Sequence, residues 1–311
     1  MTAFVVTGGA GFIGFNFVRA TLAQDPDVRI IVLDKLTYAG NQDALAELAS
    51  EPRFELVHGD IADRTLVRHV LDRVRPDAVV HFAAETHVDR SIDAPGDFIQ
   101  TNIVGTFHLL EECRRALEAR PMRFLHVSTD EVFGALGPTG AFVETTPYGP
   151  RSPYAASKAA SDHLVASYVH TYGFPAVMTN CSNNYGPYQH PEKLIPLVIT
   201  NALAGKPLPV YGRGENVRDW IHVRDHCAAL HAVLARGAIG ESYLIGARAE
   251  RTNLDVVFSL CALLDELAPR AQPYRTLVEL VRDRPGHDFR YAVDPSKLEH
   301  GSAGARRFRS T

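Results

Sequence analysis

The sequence predicts an α/β protein with a doubly wound parallel sheet and a smaller C-terminal lobe. The main observation is that short β-branched runs alternate with helix-length segments whose apolar residues recur at helical spacing. A second observation is a glycine cluster, TGGAGFIG, which separates the first run from the first helical segment. Together these features are typical of a Rossmann-type fold.

The elements follow in order along the chain. Strands are predicted for residues 4–7, 29–34, 54–60, 78–84, 124–129, 175–181 and 242–246. Helices are predicted for residues 12–24, 63–74, 98–119 and 154–171. Because such sheets bind ligands beyond the carboxyl ends of their strands, we expect the functional side chains at those ends.

Two regions with different functions are expected. Residues 1–180 are predicted to form the Rossmann domain, to which residues 215–248 return. Residues 181–214 and 249–311 are predicted to form the substrate-binding lobe, with loop-like stretches at 183–196 and 206–220 that are rich in Pro, Gly and Asn. The tail, residues 299–311, can bury little surface and is expected to be frayed.

Composition excludes several classes of function. A net charge of -4 on 311 residues gives no electrostatic reason to expect nucleic acid or an anionic membrane, and no apolar run is long enough to cross a bilayer. The four cysteines form no CxxC pair, which argues against a zinc site or a disulfide framework and favours a reducing cytoplasm. His222 and His226 have the spacing of zinc ligands but are predicted to lie on a polar helix face, so no metal is expected.

The glycine cluster predicts a dinucleotide site. Gly8, Gly11 and Gly14 let the backbone at a helix N-terminus approach a pyrophosphate, although a glycine cluster alone could be only a tight turn. Asp34 ends the next strand about twenty residues on, where an acid binds the ribose hydroxyls and repels a 2′-phosphate. This favours NAD over NADP, and the neighbouring Lys35 weakens that preference slightly.

The next strand ends would complete the cofactor site. Asp60 and Ile61 close the third strand, and Phe82, Ala83 and Ala84 close the fourth. Taken singly, each residue could serve core packing or a turn. Their placement at successive strand ends makes them candidates.

Tyr154 and Lys158 are spaced one helical turn apart, so they face the same side of a helix. A lysine cation beside a phenol, together with a positively charged nicotinamide, is expected to lower the pKa of the tyrosine. Tyr154 would then remove the proton of an alcohol as hydride leaves for NAD. A YxxxK pair alone is common by chance.

Several longer motifs carry a family resemblance. They are DKLTYAGN (34–41), AAETHVDRSI (83–92), STDEVFG (128–134), NNYGPYQHPEKLIP (183–196), NVRDW (216–220) and DRPGHDFRYAVD (283–294). With the glycine cluster and YxxxK, they resemble the dTDP-glucose 4,6-dehydratase family of the extended short-chain dehydrogenase/reductase (SDR) superfamily. The resemblance implies a hydro-lyase (EC 4.2.1.46) that uses dTDP-glucose and regenerates NAD, and a homodimer formed through helices near 98–119 and 154–171.

The resemblance also assigns catalytic roles. Glu131 is the expected base for the C5 proton, Asp130 the acid for the departing C6 hydroxyl, and Thr129 the hydroxyl that binds O4 beside Tyr154. Two close carboxylates resist ionising together, so one can stay protonated near neutral pH. An Asp-Glu dipeptide is more often a pair of solvated loop acids.

The remaining site residues also follow from the resemblance. To the cofactor site it adds Phe12, Ile13, Thr37, Thr86 and Asn183, beside Tyr154 and Lys158. The substrate would be bound by Thr86, Thr129, Asn183, Lys193, Leu194, Pro209, Tyr211, Arg218, Asn253, Arg284 and His287. Surface ion pairs are the alternative for the two arginines, and packing is the alternative for Tyr211.

The sequence departs from the family pattern in two places, and two other functions stay open. Phe133 replaces a tyrosine, and the residues after Lys297 do not resemble the family's amphipathic C-terminal helix. One alternative is another sugar-nucleotide enzyme of the superfamily, either a UDP-sugar 4,6-dehydratase or a 4-epimerase. The other is a catalytically idle NAD-binding protein.

Overall fold

The computed structural model describes residues 2–301. A seven-stranded sheet forms its centre, in the order β10-β6-β5-β4-β1-β2-β3, with every neighbouring pair parallel. The strands are β1 (Thr2–Thr7), β2 (Val28–Asp34), β3 (Phe54–His58), β4 (Ala78–His81), β5 (Arg123–Thr129), β6 (Ala176–Cys181), β7 (Asn183–Tyr185), β8 (Leu208–Tyr211), β9 (Val217–His222), β10 (Ser242–Ile245), β11 (Glu250–Thr252) and β12 (Val278–Val281). The predicted fold class and the seven predicted strands are confirmed.

Helices cover both faces of the sheet, and they bury the apolar side chains of β1, β2, β4, β5 and β6 in two separate core clusters. They are α1 (Phe12–Gln24), α2 (Gln42–Ala46), α3 (Arg64–Val74), α4 (Val88–Asp93), α5 (Pro95–Phe98), α6 (Thr106–Leu117), α7 (Pro153–Tyr172), α8 (Leu194–Leu203), α9 (Val223–Arg236), α10 (Asn253–Leu267) and α11 (Ser296–Gly301). Two 3-10 segments, Asp130–Phe133 and Tyr274–Leu277, and a π-helix, Ile99–Gly105, are also helical. Burial on both faces explains why these strands read as continuous apolar runs.

The predicted helix over residues 98–119 is interrupted. Ile99–Gly105 is a π-helix between α5 and α6. A π-helix inserts one extra residue per turn, which changes which side chains face the sheet. The apolar spacing did not reveal this insertion.

The segments predicted as loop-like contain regular structure, so that prediction is wrong. β8 lies within residues 206–220 and β9 begins there; β8 pairs with β12, and β9 pairs with β7 and β11. A third core cluster, with Val198, Val210 and Val257 in it, joins α8, β8 and α10. Short strands of this kind are stabilised by packing, which the Pro and Gly content of the sequence obscured.

The boundaries of the two predicted regions stay predictions, and the structure shows only which sheet each strand joins. From the segment 215–248, β10 joins the main sheet beside β6, whereas β9 lies in the three-stranded sheet. In the expected frayed tail, residues 299–301 are the last residues of α11, and Glu299 accepts hydrogen bonds from Arg248. The rest of the predicted tail, 302–311, lies outside the described residues.

Candidate active site

The glycine turn between β1 and α1 presents only backbone to a cavity of about 310 Å³. Gly8 has a φ of 70°, and a Cβ built on it would lie 2.5 Å from the backbone nitrogen of Ala83. A Cβ on Gly14 would lie 2.3 Å from the carbonyl oxygen of Gly8. Gly11, the N-cap of α1, supplies no capping side chain. The turn therefore brings the positive end of α1 to the cavity, the arrangement that suits a pyrophosphate.

Asp34 and Lys35 lie at the end of β2. The two carboxylate oxygens of Asp34 accept hydrogen bonds from the backbone nitrogens of Ala10 (2.9 Å) and Leu36 (2.8 Å). Burial raises the pKa of Asp34, and these hydrogen bonds oppose that rise. Lys35 places its Nζ 2.7 Å from a carboxylate oxygen of Asp60. Because this ion pair with Asp60 compensates the charge of Lys35, the end of β2 favours ribose hydroxyls over a 2′-phosphate.

The loop after β4 is held by a residue that the sequence did not single out. Asn102, in the π-helix, is 1% exposed. Its Oδ1 accepts from the backbone nitrogen of Glu85 (2.8 Å), and its Nδ2 donates to the Glu85 carbonyl (3.0 Å) and to Ser157 Oγ (2.8 Å). Asn102 thus fixes the cavity loop to α7. No helical pattern could have shown this, because it depends on the π-helical register.

Thr129, Asp130 and Glu131 lie where β5 ends and the 3-10 segment Asp130–Phe133 begins. The hydroxyl of Thr129 accepts a hydrogen bond from the backbone nitrogen of Glu131 (3.3 Å), which caps the 3-10 segment. All three residues line the same cavity as the glycine turn. The alternative, a pair of solvated loop acids, does not describe this structure.

The two acids have different electrostatic surroundings. Burial, and then the charge of Glu131, raise the pKa of Asp130 well above its ordinary value. Burial also raises the pKa of Glu131, but the charges of Arg284, Arg218 and Lys193 oppose that rise. Asp130 Oδ2 is buried with no hydrogen-bond partner among the described residues. Asp130 is therefore the better proton donor and Glu131 the better base.

Tyr154 and Lys158 lie on α7 and line the cavity. In the protein without NAD, burial and the charge of Glu131 raise the pKa of Tyr154 well above its ordinary value, so the lowering expected with the nicotinamide charge stays a prediction. Lys158 directs its Nζ to the carbonyl oxygen of Val127 (3.0 Å), and burial lowers its pKa. The spacing of this pair could be predicted from the sequence, but the desolvation that opposes both charges could not.

The cavity brings most predicted residues together. Every predicted catalytic and cofactor-binding residue lines it, as do four of the predicted substrate-binding residues: Thr86, Thr129, Asn183 and Lys193. The other predicted substrate-binding residues are not part of its lining: Leu194, Pro209, Tyr211, Arg218, Asn253, Arg284 and His287. Residues such as Ser128, Ser182 and Glu192 line the cavity without having been predicted.

The charges of two arginines, Arg218 and Arg284, act against burial to lower the pKa of Glu131 in the cavity. Arg218 is 4% exposed, with its guanidinium 4.3 Å from the centre of the Tyr291 ring and its Nη2 donating to the Asp288 carbonyl (3.0 Å). A surface ion pair is therefore the wrong description of Arg218. Arg284 does form an ion pair, at 3.7 Å, with Asp89.

The other residues of the lobe are less closely connected to the cavity. Tyr211 is 42% exposed, donates to Asp89 (3.4 Å) and packs edge-on against His287. Leu194 begins α8 and packs against the third core cluster. Pro209 lies in β8, and Asn253 begins α10. Their substrate contacts remain predictions.

A charged cluster on the rim of the cavity was not predicted from the sequence. The carboxylate of Glu192 lies 3.6 Å from each of His87, Arg90 and His190. The guanidinium of Arg90 stacks 3.5 Å from the centre of the Tyr38 ring. This rim cluster joins the loop after β2 to α4 and to the loop before α8. Its members stand in separate sequence motifs, so only the fold shows that they meet.

The structure also shows the surroundings of the histidines, Phe133 and the cysteines that the sequence analysis considered. His226 is fully buried with its Nδ1 2.9 Å from Asn184 Oδ1, so the predicted polar helix face is wrong; His222 caps α9 instead. No group of side chains within residues 2–301 could hold a metal ion. Phe133 stacks on Phe142, with ring centres 5.1 Å apart, so this departure from the family pattern serves packing. The four cysteines are buried and free.

Comparisons with known proteins agree with this geometry. A dTDP-glucose 4,6-dehydratase of Xanthomonas campestris is 58% identical over 96% of this chain and 87% of its own length. One from Neisseria meningitidis is 54% identical over 96% of this chain and 87% of its own. This chain belongs to the dTDP-glucose 4,6-dehydratase family.

Solved structures of the dTDP-glucose 4,6-dehydratase family and its superfamily share the fold. DesIV (dTDP-glucose 4,6-dehydratase) from Streptomyces venezuelae, with NAD and TYD bound, matches with a TM-score of 0.91 and 48% identity over 99% of this chain and 93% of that chain. A UDP-glucose 4-epimerase of Thermus thermophilus, in complex with NAD, matches with a TM-score of 0.85 at 29% identity over 100% of this chain and 95% of that chain. The family model described as GDP-mannose 4,6 dehydratase matches residues 5–301. None of the helices in residues 2–301 has the length and apolarity of a membrane span.

Proposed function

We propose that this protein converts dTDP-glucose to dTDP-4-keto-6-deoxyglucose as an NAD-dependent hydro-lyase that regenerates its cofactor. The observation that carries the proposal is the cavity itself, because Asp130 and Glu131 line it together with the glycine turn and Tyr154. A simple dehydrogenase or an epimerase needs no such acid pair. Elimination of water needs both a base and an acid.

The residues present fit NAD. The turn at Gly8 and Gly14 has no room for a Cβ, and Asp34 retains acceptor capacity beyond its two backbone hydrogen bonds. When bound, NAD supplies the acceptor for the C4 hydride, the hydride that returns to C6, and a positive charge that favours the Tyr154 phenolate. The ion pair of Lys35 with Asp60 supports the choice of NAD over NADP.

Thr129 and Tyr154 are proposed to act at C4. The Thr129 hydroxyl would hold O4, and Tyr154 would take the proton of the C4 hydroxyl. In the protein alone the raised pKa keeps the phenol protonated. Lys158, on the same face of α7, supplies the protein's own positive charge for the phenolate.

The acid pair is proposed to act at C5 and C6. Oxidation at C4 makes the C5 hydrogen acidic, and Glu131 would remove it. Asp130, the more strongly desolvated acid, would donate its proton to the departing C6 hydroxyl. The opposing charges of Arg218, Arg284 and Lys193 keep Glu131 the more readily ionised of the two.

Binding of the nucleotide diphosphate is proposed for the same cations. The charges of Arg218 and Arg284 act on Glu131, and guanidinium groups bind diphosphates through paired hydrogen bonds. Asn183, Leu194, Asn253 and His287 would complete the sugar and diphosphate contacts, with Pro209 and Tyr211 beside the base.

The test is incubation with dTDP-glucose in deuterated water. We expect deuterium at C5 of a 4-keto-6-deoxy product, with no net reduced cofactor. Glu131→Gln should abolish the label while the protein still binds NAD. A parallel incubation with UDP-glucose examines the rival enzymes, since product from UDP-glucose and none from dTDP-glucose would contradict the proposal. Cofactor binding without turnover of either sugar nucleotide would identify an idle NAD-binding protein.

We also propose a cytoplasmic homodimer. Support for the dimer comes from exposed apolar side chains on the expected helices, including Ile99 (49% exposed) and Phe107 (39% exposed). Light scattering should give a dimer mass that Ile99→Asp reduces to a monomer, whereas Leu267→Asp, on α10, leaves it unchanged. The four free cysteines suit the cytoplasm, which cell fractionation would test.

A further inference from the structure

Behind the reacting end of the cavity lies a buried aspartate with no assigned role. Asp162 stands two helical turns after Tyr154 and one after Lys158, on the same face of α7. It is 2% exposed and is not part of the cavity lining. A direct contact with the substrate is therefore not its function.

Three side chains hold the Asp162 carboxylate. His126 Nε2 lies 2.9 Å from Oδ1, and Oδ2 accepts from Tyr148 OH (2.9 Å) and from Asn180 Nδ2 (3.0 Å). Burial raises the pKa of Asp162, but His126 and the charge of Lys158 outweigh burial, and the net pKa is lowered. Burial lowers the pKa of His126, so its ring is a neutral donor rather than a second cation.

The ammonium of Lys158 needs a negative charge. Lys158 is 4% exposed, and its one hydrogen bond goes to an uncharged carbonyl. A buried lysine without a counter-ion loses its proton readily. The charges that raise the pKa of Lys158 against burial come from Asp162 on its own helix and Cys181 on β6.

The other ionisable groups near this site have different roles. On β4 and β5, His81 and His126 are both driven to the neutral form, with burial as the largest cause. Burial also raises the pKa of Cys181 to about 12, so its thiol stays uncharged. In the 3-10 segment, Asp130 and Glu131 act on Tyr154. Asp162, buried one helical turn from Lys158 on the same face of α7, is thus the ionised group nearest in role to a counter-ion at neutral pH, without a direct ion pair between the two side chains.

We propose that Asp162 is the buried counter-ion of the Lys158 ammonium and a positioning residue for proton transfer at Tyr154. This rests on the proposed function only in its last part, since charge pairing inside the protein is independent of the substrate. His126, Tyr148 and Asn180 fix the carboxylate, and the carboxylate maintains the cation. The cation then favours the phenolate that takes the C4 proton.

The first experiment measures kcat/KM against pH for the wild type, Asp162→Asn and Tyr148→Phe. Asp162→Asn keeps the shape and removes the charge, whereas Tyr148→Phe removes one hydrogen bond to the same oxygen and keeps the charge. In Asp162→Asn the high-pH limb, where Lys158 loses its proton, should move to lower pH by about one unit or more. Tyr148→Phe should leave that limb nearly in place. A profile of unchanged position in Asp162→Asn, or equal shifts in both variants, would overturn the proposal.

The second experiment needs no activity. Melting temperatures are compared for the wild type, Lys158→Met, Asp162→Asn and the double variant. Each single variant leaves a buried charge unpaired and should melt at a lower temperature than the wild type. The double variant, which removes both charges, should recover a large part of the combined loss, even where Asp162→Asn alone fails to fold. If the decreases in melting temperature of the two single variants add up in the double variant, the charge pair is refuted. Failure of the wild type to turn over dTDP-glucose would refute only the proposed function.

Discussion

Asp130 should make the native state less stable as pH rises, and Asp130→Asn should relieve this. Burial, and then the charge of Glu131, raise the pKa of Asp130 well above its ordinary value of 3.8. A group whose pKa is raised on folding contributes stability that is complete below the unfolded pKa and is lost as pH rises towards the folded pKa. Asparagine has nearly the same shape and does not titrate. The advantage of the variant should therefore appear above about pH 4 and grow with pH.

The magnitude follows from the linkage relation. Each pH unit between the unfolded and folded pKa values corresponds to about 1.4 kcal/mol of unfolding free energy. From pH 4 to pH 7 the variant should therefore gain at most about 4 kcal/mol relative to the wild type. Asp130 Oδ2 has no partner among the described residues, so an unpaired amide in its place adds a cost of about 1–3 kcal/mol that does not change with pH. The slope, rather than the absolute difference, is the firm prediction.

The assay is thermal unfolding of both proteins from pH 4 to pH 8 at equal NAD content. A gain of 1 kcal/mol should raise the melting temperature by about 1.5 °C for a protein of this size. Asp162→Asn is the matched control, because the Asp162 pKa is lowered and its contribution is present at neutral pH and lost as pH falls. A difference for Asp130→Asn that is flat or shrinks with rising pH would refute the reasoning.

The remaining predictions concern the cofactor. Gly14→Ala should abolish stable NAD binding, because the alanine Cβ would lie 2.3 Å from the Gly8 carbonyl oxygen. The NAD content of the purified variant measures this binding, and a content equal to that of the wild type would contradict the prediction. Asp34→Ala should weaken NAD binding by about tenfold or more and reduce the preference of the protein for NAD over NADP. Calorimetric titrations measure both affinities, and equal losses of affinity for the two cofactors would contradict a contact of Asp34 with the ribose. Glu192→Gln should speed the release of labelled NAD by loosening the rim cluster, and an unchanged release rate would remove that role.

Local features of the fold could be predicted from the sequence, because their causes are local. Gly14 is required by contacts within the turn, and Gly8 by its φ of 70°, so the motif itself specifies the local geometry. The spacing of Tyr154 and Lys158 places both on one face of a helix whatever surrounds it. Buried strands on both faces give apolar runs that are readable without partners.

Features that depend on tertiary contacts could not be predicted. The register of the π-helix decides that Asn102 reaches Glu85 and Ser157, and apolar spacing contains no signal for it. The stretch that forms β8 was predicted as a loop because its stability comes from packing against α8 and α10. The stretch that begins β9 was predicted as a loop because its pairing with β7 and β11 is a tertiary contact. The desolvation that raises the pKa of Tyr154 in the protein without NAD could not be predicted either, since it depends on burial, which spacing does not report.

Asp130 and Asp162 show how one fold separates two identical carboxyl groups by their hydrogen-bond donors. Both are 2% exposed and both are desolvated. Asp162 accepts hydrogen bonds from a histidine, a tyrosine and an asparagine and lies near an ammonium, so it stays ionised. Asp130 has Glu131 beside it and a buried oxygen that has no hydrogen-bond partner among the described residues, so it holds a proton. Adding a hydrogen-bond donor opposite that oxygen, rather than removing the carboxyl, should therefore also slow elimination, because the donor favours the ionised carboxyl and removes the proton that leaves with the C6 hydroxyl.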